Sequence, residues 1–314
     1  MNSVMLSLNV VFPLVILISI GYILESIKMV DDHSLTIINK VAFRIFISSM
    51  LFISIYEFDL NFVLRKENFK LFSFTFFCLI IEIIVGFLLF RKMTKDPKKL
   101  SVMLQGTYRT NLILFGMAIT MSIYEGKAGV TSLLAAVMVP CFNIISVVVL
   151  EIARGGKIDY KKILISIAKN PLILAAIFGF FFVITGIRLP KMVLTPINQL
   201  KGIATPLSFI ILGGTLKFSN LLKNIKYIIA VNLMRLIILP IIFMTLAIKF
   251  GFRNEALVGI FAVIGTPTAV SSFNMAKDMG ADGDLAGEIV VTTSVVSFFT
   301  TFLWVIVLKH FNFI

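Results

Sequence analysis

Long apolar runs alternate with short charged interruptions along the whole chain. They cover approximately 4–24, 35–56, 69–90, 101–124, 129–151, 171–187, 193–216, 227–250, 259–277 and 285–308. Each is close to the roughly 20 residues that an α-helix rising about 1.5 Å per residue needs to cross a hydrocarbon core. The pattern predicts an all-α integral membrane protein of about ten transmembrane helices with short loops. Asp31 and Asp32 offer caps before the second span, and the turn holding Asp282 and Asp284 offers a cap to the last. The basic, Gly-containing stretch 154–165 is the one linker, dividing 1–153 from 166–314. By the runs above, five spans fall on each side of it. An odd number per half makes the halves oppositely oriented, which is an inverted repeat.

Two runs are interrupted from within, at corresponding places in the two halves. In the ninth, Gly265, Thr266, Pro267 and Thr268 break an otherwise apolar helix. Proline removes a backbone N–H and its ring clashes with the carbonyl four residues earlier. Freed backbone groups cost several kcal/mol each in a bilayer unless protein or water satisfies them. Thr266, Thr268, Ser271, Ser272 and Asn274 supply such partners. The segment is expected to be half of a transport site, with a second half-helix starting near Thr268 and presenting its N-terminal N–H groups to an anion. In the fourth run the interruption is Thr110 to Gly116. A proline kink used only for packing is the competing reading.

Composition agrees with the pattern. The chain is 59% hydrophobic and 14% charged, with a formal net charge of +13. The basic residues lie scattered in loops, which fits membrane orientation and argues against nucleic acid as a partner. They are denser in loops after odd-numbered spans, so those loops are expected to be cytoplasmic and both termini extracytoplasmic, in a cell membrane. The first run has no basic leader or cleavage signature and reads as a retained span. Cys78 and Cys141 both sit in apolar runs and suggest no metal.

Among embedded polar residues, Arg109 is the strongest candidate for charge chemistry. A guanidinium is always charged, forks onto a carboxylate and is costly in a membrane unless paired. Arg235 reads as a scaffold or interfacial residue. Glu82 and Glu288 could couple protons or neutralise an arginine, and Asn143 could hold a substrate or bridge two helices. No Gly-x-Ser-x-Gly, His-Glu-x-x-His or P-loop is present, so neither an enzyme nor an ATP-driven pump is expected, and nothing calls for a cofactor.

The run GTPTAVSSFNMAKDMGADGDLAGEIVV from Gly265 resembles the C-terminal signature of the auxin efflux carrier family, which includes malate and malonate permeases. YRTNLILFG from Tyr108 resembles that family's first-half motif. The resemblance implies a fold like the antiporter NhaA, with two crossing broken helices, spans four and nine, carried by a transport domain that moves against a scaffold. It also implies a homodimer through the scaffold. Carried over by residue, Asn111 and Gly116 match the first crossover motif and Pro267 the second. Ala118 stands where many members have proline, which leaves the first break resting on Gly116. The expected function is a secondary carrier of small organic anions, mono- or dicarboxylates such as malate, malonate or an auxin-like acid, by alternating access. The expected binding set is Arg109, Asn111, Gly116, Gly265, Thr266, Pro267, Thr268, Ser271 and Asn274. A cation/proton antiporter on the same fold, or a non-transporting sensor of membrane lipid or ligand, are the alternatives.

Overall fold

Local sequence explains where four of the helices start. Asp31 accepts the amide of Ser34 at 2.7 Å and opens a helix over Asp32–Tyr56, and these bonds from Ser34 hold its carboxyl below the usual range. Asp96 and Asn170 each accept an amide two residues on, at 2.9 Å, with proline at the first helical position. Asp282 caps the last helix through the amide of Leu285 at 3.0 Å.

The structure is a computed structural model, and it describes residues 3–57, 66–124, 128–154, 165, 168–215 and 218–314. Nearly all of the predicted linker 154–165 lies outside the described residues. In chain order the helices are α1 (Ser3–Ser26), α2 (Asp32–Tyr56), α3 (Lys66–Met93), α4 (Pro97–Tyr108), α5 (Leu112–Ile123) and α6 (Gly129–Arg154). There follow α7 (Pro171–Thr185), α8 (Lys191–Thr215) and α9, which runs from Phe218–Leu233 through a π-helical turn at Met234–Ile238 into Leu239–Lys249. Last come α10 (Asn254–Ile264), α11 (Ser271–Asp278) and α12 (Gly283–His310). Among the described residues five helices, including α3, α6 and α12, are long and apolar enough to cross a membrane, and α5, α7 and α10 are shorter apolar helices.

The distribution of side chains is that of a protein surrounded by lipid. Exposed apolar residues recur one helical turn apart, as in Ile80, Ile84 and Leu88 of α3 or Val295, Phe299 and Leu303 of α12. The charged Glu82, Arg109 and Arg235 are buried to within 1%. Water would favour the reverse arrangement; a bilayer favours this one.

Two apolar clusters divide the interior. The larger joins α3, α4, α5, α6, α9, α10, α11 and α12, and also takes in Ala42 of α2 and Phe209, Ile211 and Leu212 of α8. The smaller joins Leu51 and Ile55 of α2 with Leu172 and Ala176 of α7 and Ala204 of α8, and reaches Val147 of α6 and Met275 of α11. The longest contact is α1 against α8, where the backbones nearly touch. A Cβ built on Gly21 would lie 1.9 Å from the Ile210 carbonyl oxygen, and one on Gly213 would lie 2.0 Å from that of Ile18. Glycine permits this approach because it has no Cβ to clash.

Candidate functional site

The chain leaves helical geometry twice in the middle of apolar segments, and the two places meet. Between α4 and α5, Arg109 is extended (φ −89°, ψ 99°) and Asn111 is non-helical (φ −86°, ψ 59°). Between α10 and α11 the helix stops at Ile264 and resumes at Ser271. Thr110 and Thr268 form an antiparallel bridge. In it the Asn111 amide donates to the Pro267 carbonyl at 2.8 Å and the Ala269 amide donates to the Arg109 carbonyl at 3.0 Å. Each break therefore satisfies the backbone of the other, as a membrane interior requires.

The threonines complete the junction. Thr268 donates its hydroxyl to the Gly106 carbonyl at 2.7 Å, and its amide donates to the Thr293 hydroxyl at 3.2 Å. The hydroxyls of Thr110 and Thr266 bond to one another, and Thr266 also donates to the Ala262 carbonyl at 2.8 Å. These side chains are buried and act on the backbone of the crossing.

The crossing has two electrostatically different sides. The C-terminal ends of α4 and α10 converge on Arg235, which donates to the carbonyls of Thr107 at 2.6 Å, Thr266 at 2.9 Å and Val263 at 3.2 Å. Glu82 of α3 lies 3.9 Å from the same guanidinium. The N-terminal ends of α5 and α11 lie on the other side and carry the partial positive charge of a helix start, although the Ser272 and Phe273 amides of α11 donate to the Ala269 and Val270 carbonyls at 3.0 Å. There stands Arg109, 1% exposed. Its guanidinium donates to Asn143 Oδ1 at 2.5 Å, to Ser271 Oγ at 2.8 Å and to the sulfur of Met275. All three partners are neutral, and among the described residues no carboxylate pairs with Arg109.

A cavity of about 40 Å3 opens beside this guanidinium. Arg109, Thr110, Asn111, Asn143 and Ser271 line it, and Ile47 of α2 and Ser208 of α8 close the far wall. The Asn111 side-chain amide nitrogen, which is buried, has no hydrogen-bond partner. An unpaired cation, a spare amide donor and two helix N-termini thus surround one space. Chemically, that set favours an anion with hydrogen-bond acceptors.

The expected residues divide on this geometry. Arg109, Asn111 and Ser271 line the cavity, as does Asn143. Gly265, Thr266, Pro267 and Thr268 form the second break itself. Three expectations need correction. Gly116 is not the first break: it is helical (φ −63°, ψ −48°) within α5, which begins at Leu112, and a Cβ there would lie 2.9 Å from Ala262 Cβ. The break falls at 109–111 because the strand-like pairing with 267–269 pulls those residues out of the helix. The second half-helix begins at Ser271, not near Thr268, since Thr268 is held in that same pairing. Asn274 is not at the cavity; its side chain donates to Asn39 Oδ1 of α2 at 2.7 Å, and Asn39 donates back to the Asn274 carbonyl at 3.2 Å.

Arg235 is not interfacial but wholly buried against the crossing. The available signal was Pro240, whose missing N–H leaves the Leu236 carbonyl without its usual donor and loosens the ladder into the π-helical turn that carries Arg235. Of the two embedded carboxylates, Glu82 faces Arg235, and Glu288 accepts from the Asn224 side chain at 2.8 Å. Neither lines the cavity.

A family model described as a membrane transport protein matches residues 6–305. A protein of Methanothermobacter thermautotrophicus described as an uncharacterized transporter is 23% identical over 307 residues, covering 96% of this chain and 98% of that one.

Proposed function

Since the family match runs through nearly its whole length, the chain belongs to the auxin efflux carrier family of membrane transport proteins, and from that premise we propose that it is a secondary carrier of small organic anions, mono- or dicarboxylates. The observation that carries this reading is the buried Arg109 guanidinium with only neutral partners beside two half-helix N-termini. A buried cation without a counter-ion is costly, and a substrate carboxylate supplies the missing partner through bidentate bonds. Asn111 adds its free amide donor, and the first-turn amides of α5 and α11 add their partial positive charge.

The order of helices supports an inverted repeat. Three helices, a broken pair and a helix occur first as α1–α6 and again as α7–α12. In this reading the chain crosses the membrane about ten times, with both termini extracytoplasmic. α1, α2, α7 and α8 form the scaffold, and the crossing travels with the remaining helices as the transport domain.

A cavity of about 40 Å3 has room for a few waters and not for a dicarboxylate, so the conformation is closed around its site. A larger recess of about 440 Å3 lies on the same boundary between α2, α7 and α6, α11, lined by charges of both signs, Arg44 and Lys169 with Glu151 and Asp278, and by Asn170. Phe43 and Met279 line that recess and belong to the apolar cluster containing Ile47 and Met275. The recess is the vestibule and the cluster is the gate. Alternating access is then the parting of α11 from α2.

Uptake of labelled malate and malonate into proteoliposomes, beside a thermal-shift screen of organic acids, tests the reading. Arg109→Ala should lower uptake at least tenfold, about 1.4 kcal/mol or more, and Arg109→Lys should recover part of it. Uptake by Arg109→Ala equal to that of the unaltered protein refutes the assignment.

A further inference from the structure

Four oxygens converge on one cation at the side of the crossing away from Arg109. They are the carbonyls of Thr107, Thr266 and Val263, at 2.6, 2.9 and 3.2 Å from Arg235 nitrogens, and the Glu82 carboxylate at 3.9 Å. Backbone carbonyls and a carboxylate are hard donors, the kind that otherwise hold an alkali or alkaline-earth cation. Thr107 and Val263 lie in the last turns of α4 and α10, and Thr266 lies just beyond the latter. Each of those ends gathers roughly half a negative charge from its aligned peptides, so the place calls for a cation whatever its source.

In this chain the cation is covalently attached. Arg235 arrives from α9, a helix that is not part of the crossing, through a π-helical turn that directs its side chain inward. A guanidinium does not lose its proton in a protein and cannot dissociate from the fold. Its planar fork reaches carbonyls from both broken segments at once, and this ties α4 to α10.

We propose that Arg235 is a built-in substitute for a bound metal cation, filling an oxygen site at the C-terminal ends of the two broken helices, so that the crossing needs no Na+ or K+. For transport this rests on the carrier reading above: uptake then proceeds without inorganic cation coupling at this site. A smaller, uncharged side chain at 235 would uncover a latent alkali-cation site made of the same oxygens.

The test is thermal melting of the purified protein in detergent, in NaCl, KCl and choline chloride at equal ionic strength. The unaltered protein and Arg235→Lys should melt at the same temperature in all three. Arg235→Ala should melt lower in choline and rise in Na+ or K+ by about 5 °C at saturating cation. If Arg235→Ala gives no folded protein in choline, its recovery only when purified in NaCl or KCl supports the proposal, and recovery in none of the salts overturns it. Stabilisation of the unaltered protein by Na+ or K+ over choline overturns it. So does an Arg235→Ala protein that melts alike in all three salts. A Glu82→Gln, Arg235→Ala double variant restored to full stability in choline also overturns it, because an orphaned carboxylate alone would then explain the single variant. Melting requires no substrate, so this result is independent of the carrier reading. Uptake in choline medium by the unaltered protein examines the two together: undiminished uptake supports both, and uptake that appears only when Na+ is added overturns the cation-free crossing while leaving the carrier intact.

Discussion

The carbonyl of Pro267 accepts the amide of Asn111 at 2.8 Å, so the residue that cannot continue one helix supplies the partner for the last residue of the break in another. Proline contributes no donor of its own, and its ring prevents the helix from closing over the gap. The pairing converts two local defects into one structure whose backbone is satisfied without water.

Pro267→Ala removes the obstacle to a continuous helix between α10 and α11. The residue then has an N–H and an unrestricted ring-free backbone, and the helical state competes with the pairing to 109–111. Uptake in proteoliposomes is expected to fall at least tenfold, while yield and helical content by circular dichroism stay near those of the unaltered protein. Normal uptake would show that the sharp break is dispensable.

Asn143 holds Arg109 through a 2.5 Å bond and donates from its own amide to the Val139 carbonyl at 2.8 Å. Asn143→Leu removes the acceptor and keeps the volume. A hydrogen bond to a charged group is worth about 1.5–3 kcal/mol, so the guanidinium should lose its fixed orientation. Because Asn143 acts through Arg109, the expected signature is a substrate affinity lowered roughly tenfold or more with folding retained. Asn143→Asp should instead give Arg109 a permanent counter-ion and depress anion binding further; equal affinity in the two variants would count against an unpaired Arg109 as the anion partner.

Asn39 and Asn274 exchange two hydrogen bonds across the boundary between α2 and α11. Both are buried, and breaking the pair without replacement should favour states in which the two helices part. In an Asn39→Ala background, a cysteine placed at Met279 should react faster with a membrane-impermeant maleimide added from the vestibule side. Unchanged labelling would mean that the pair is not part of the gate.

The α1–α8 contact offers a stability test that is separate from transport. Gly213→Ala places a methyl group where the Ile18 carbonyl oxygen is 2.0 Å away, and backbone cannot move as a flexible side chain can. A loss of about 1–3 kcal/mol is expected, in the range of overpacking. Gly202 lies in the same helix with nothing within 4 Å of an added Cβ. Gly202→Ala should therefore be neutral or stabilise by up to about 1 kcal/mol, read as opposite shifts of the melting temperature in the two variants.

Helix positions, their caps and the break at Gly265–Thr268 were legible in the residues, because each depends on groups within a turn or two along the chain. A proline lacks its N–H wherever the helix lies, and Asp31, Asp282 or Asn170 reaches an amide two or three residues away without help from the rest of the protein. The sequence by itself therefore determined that this is a helical membrane protein of the auxin efflux carrier family with an interrupted helix near its C-terminal end. The tertiary structure alone decided where the first interruption falls, that Arg235 spans both helix ends, and that Asn274 turns away from the cavity to Asn39. The physical reason is that these depend on which donors and acceptors from helices far apart in the chain come to face one another, and that is set by how each helix is rotated and packed. No local spacing encodes that a carbonyl at 267 will sit within 2.8 Å of the amide at 111.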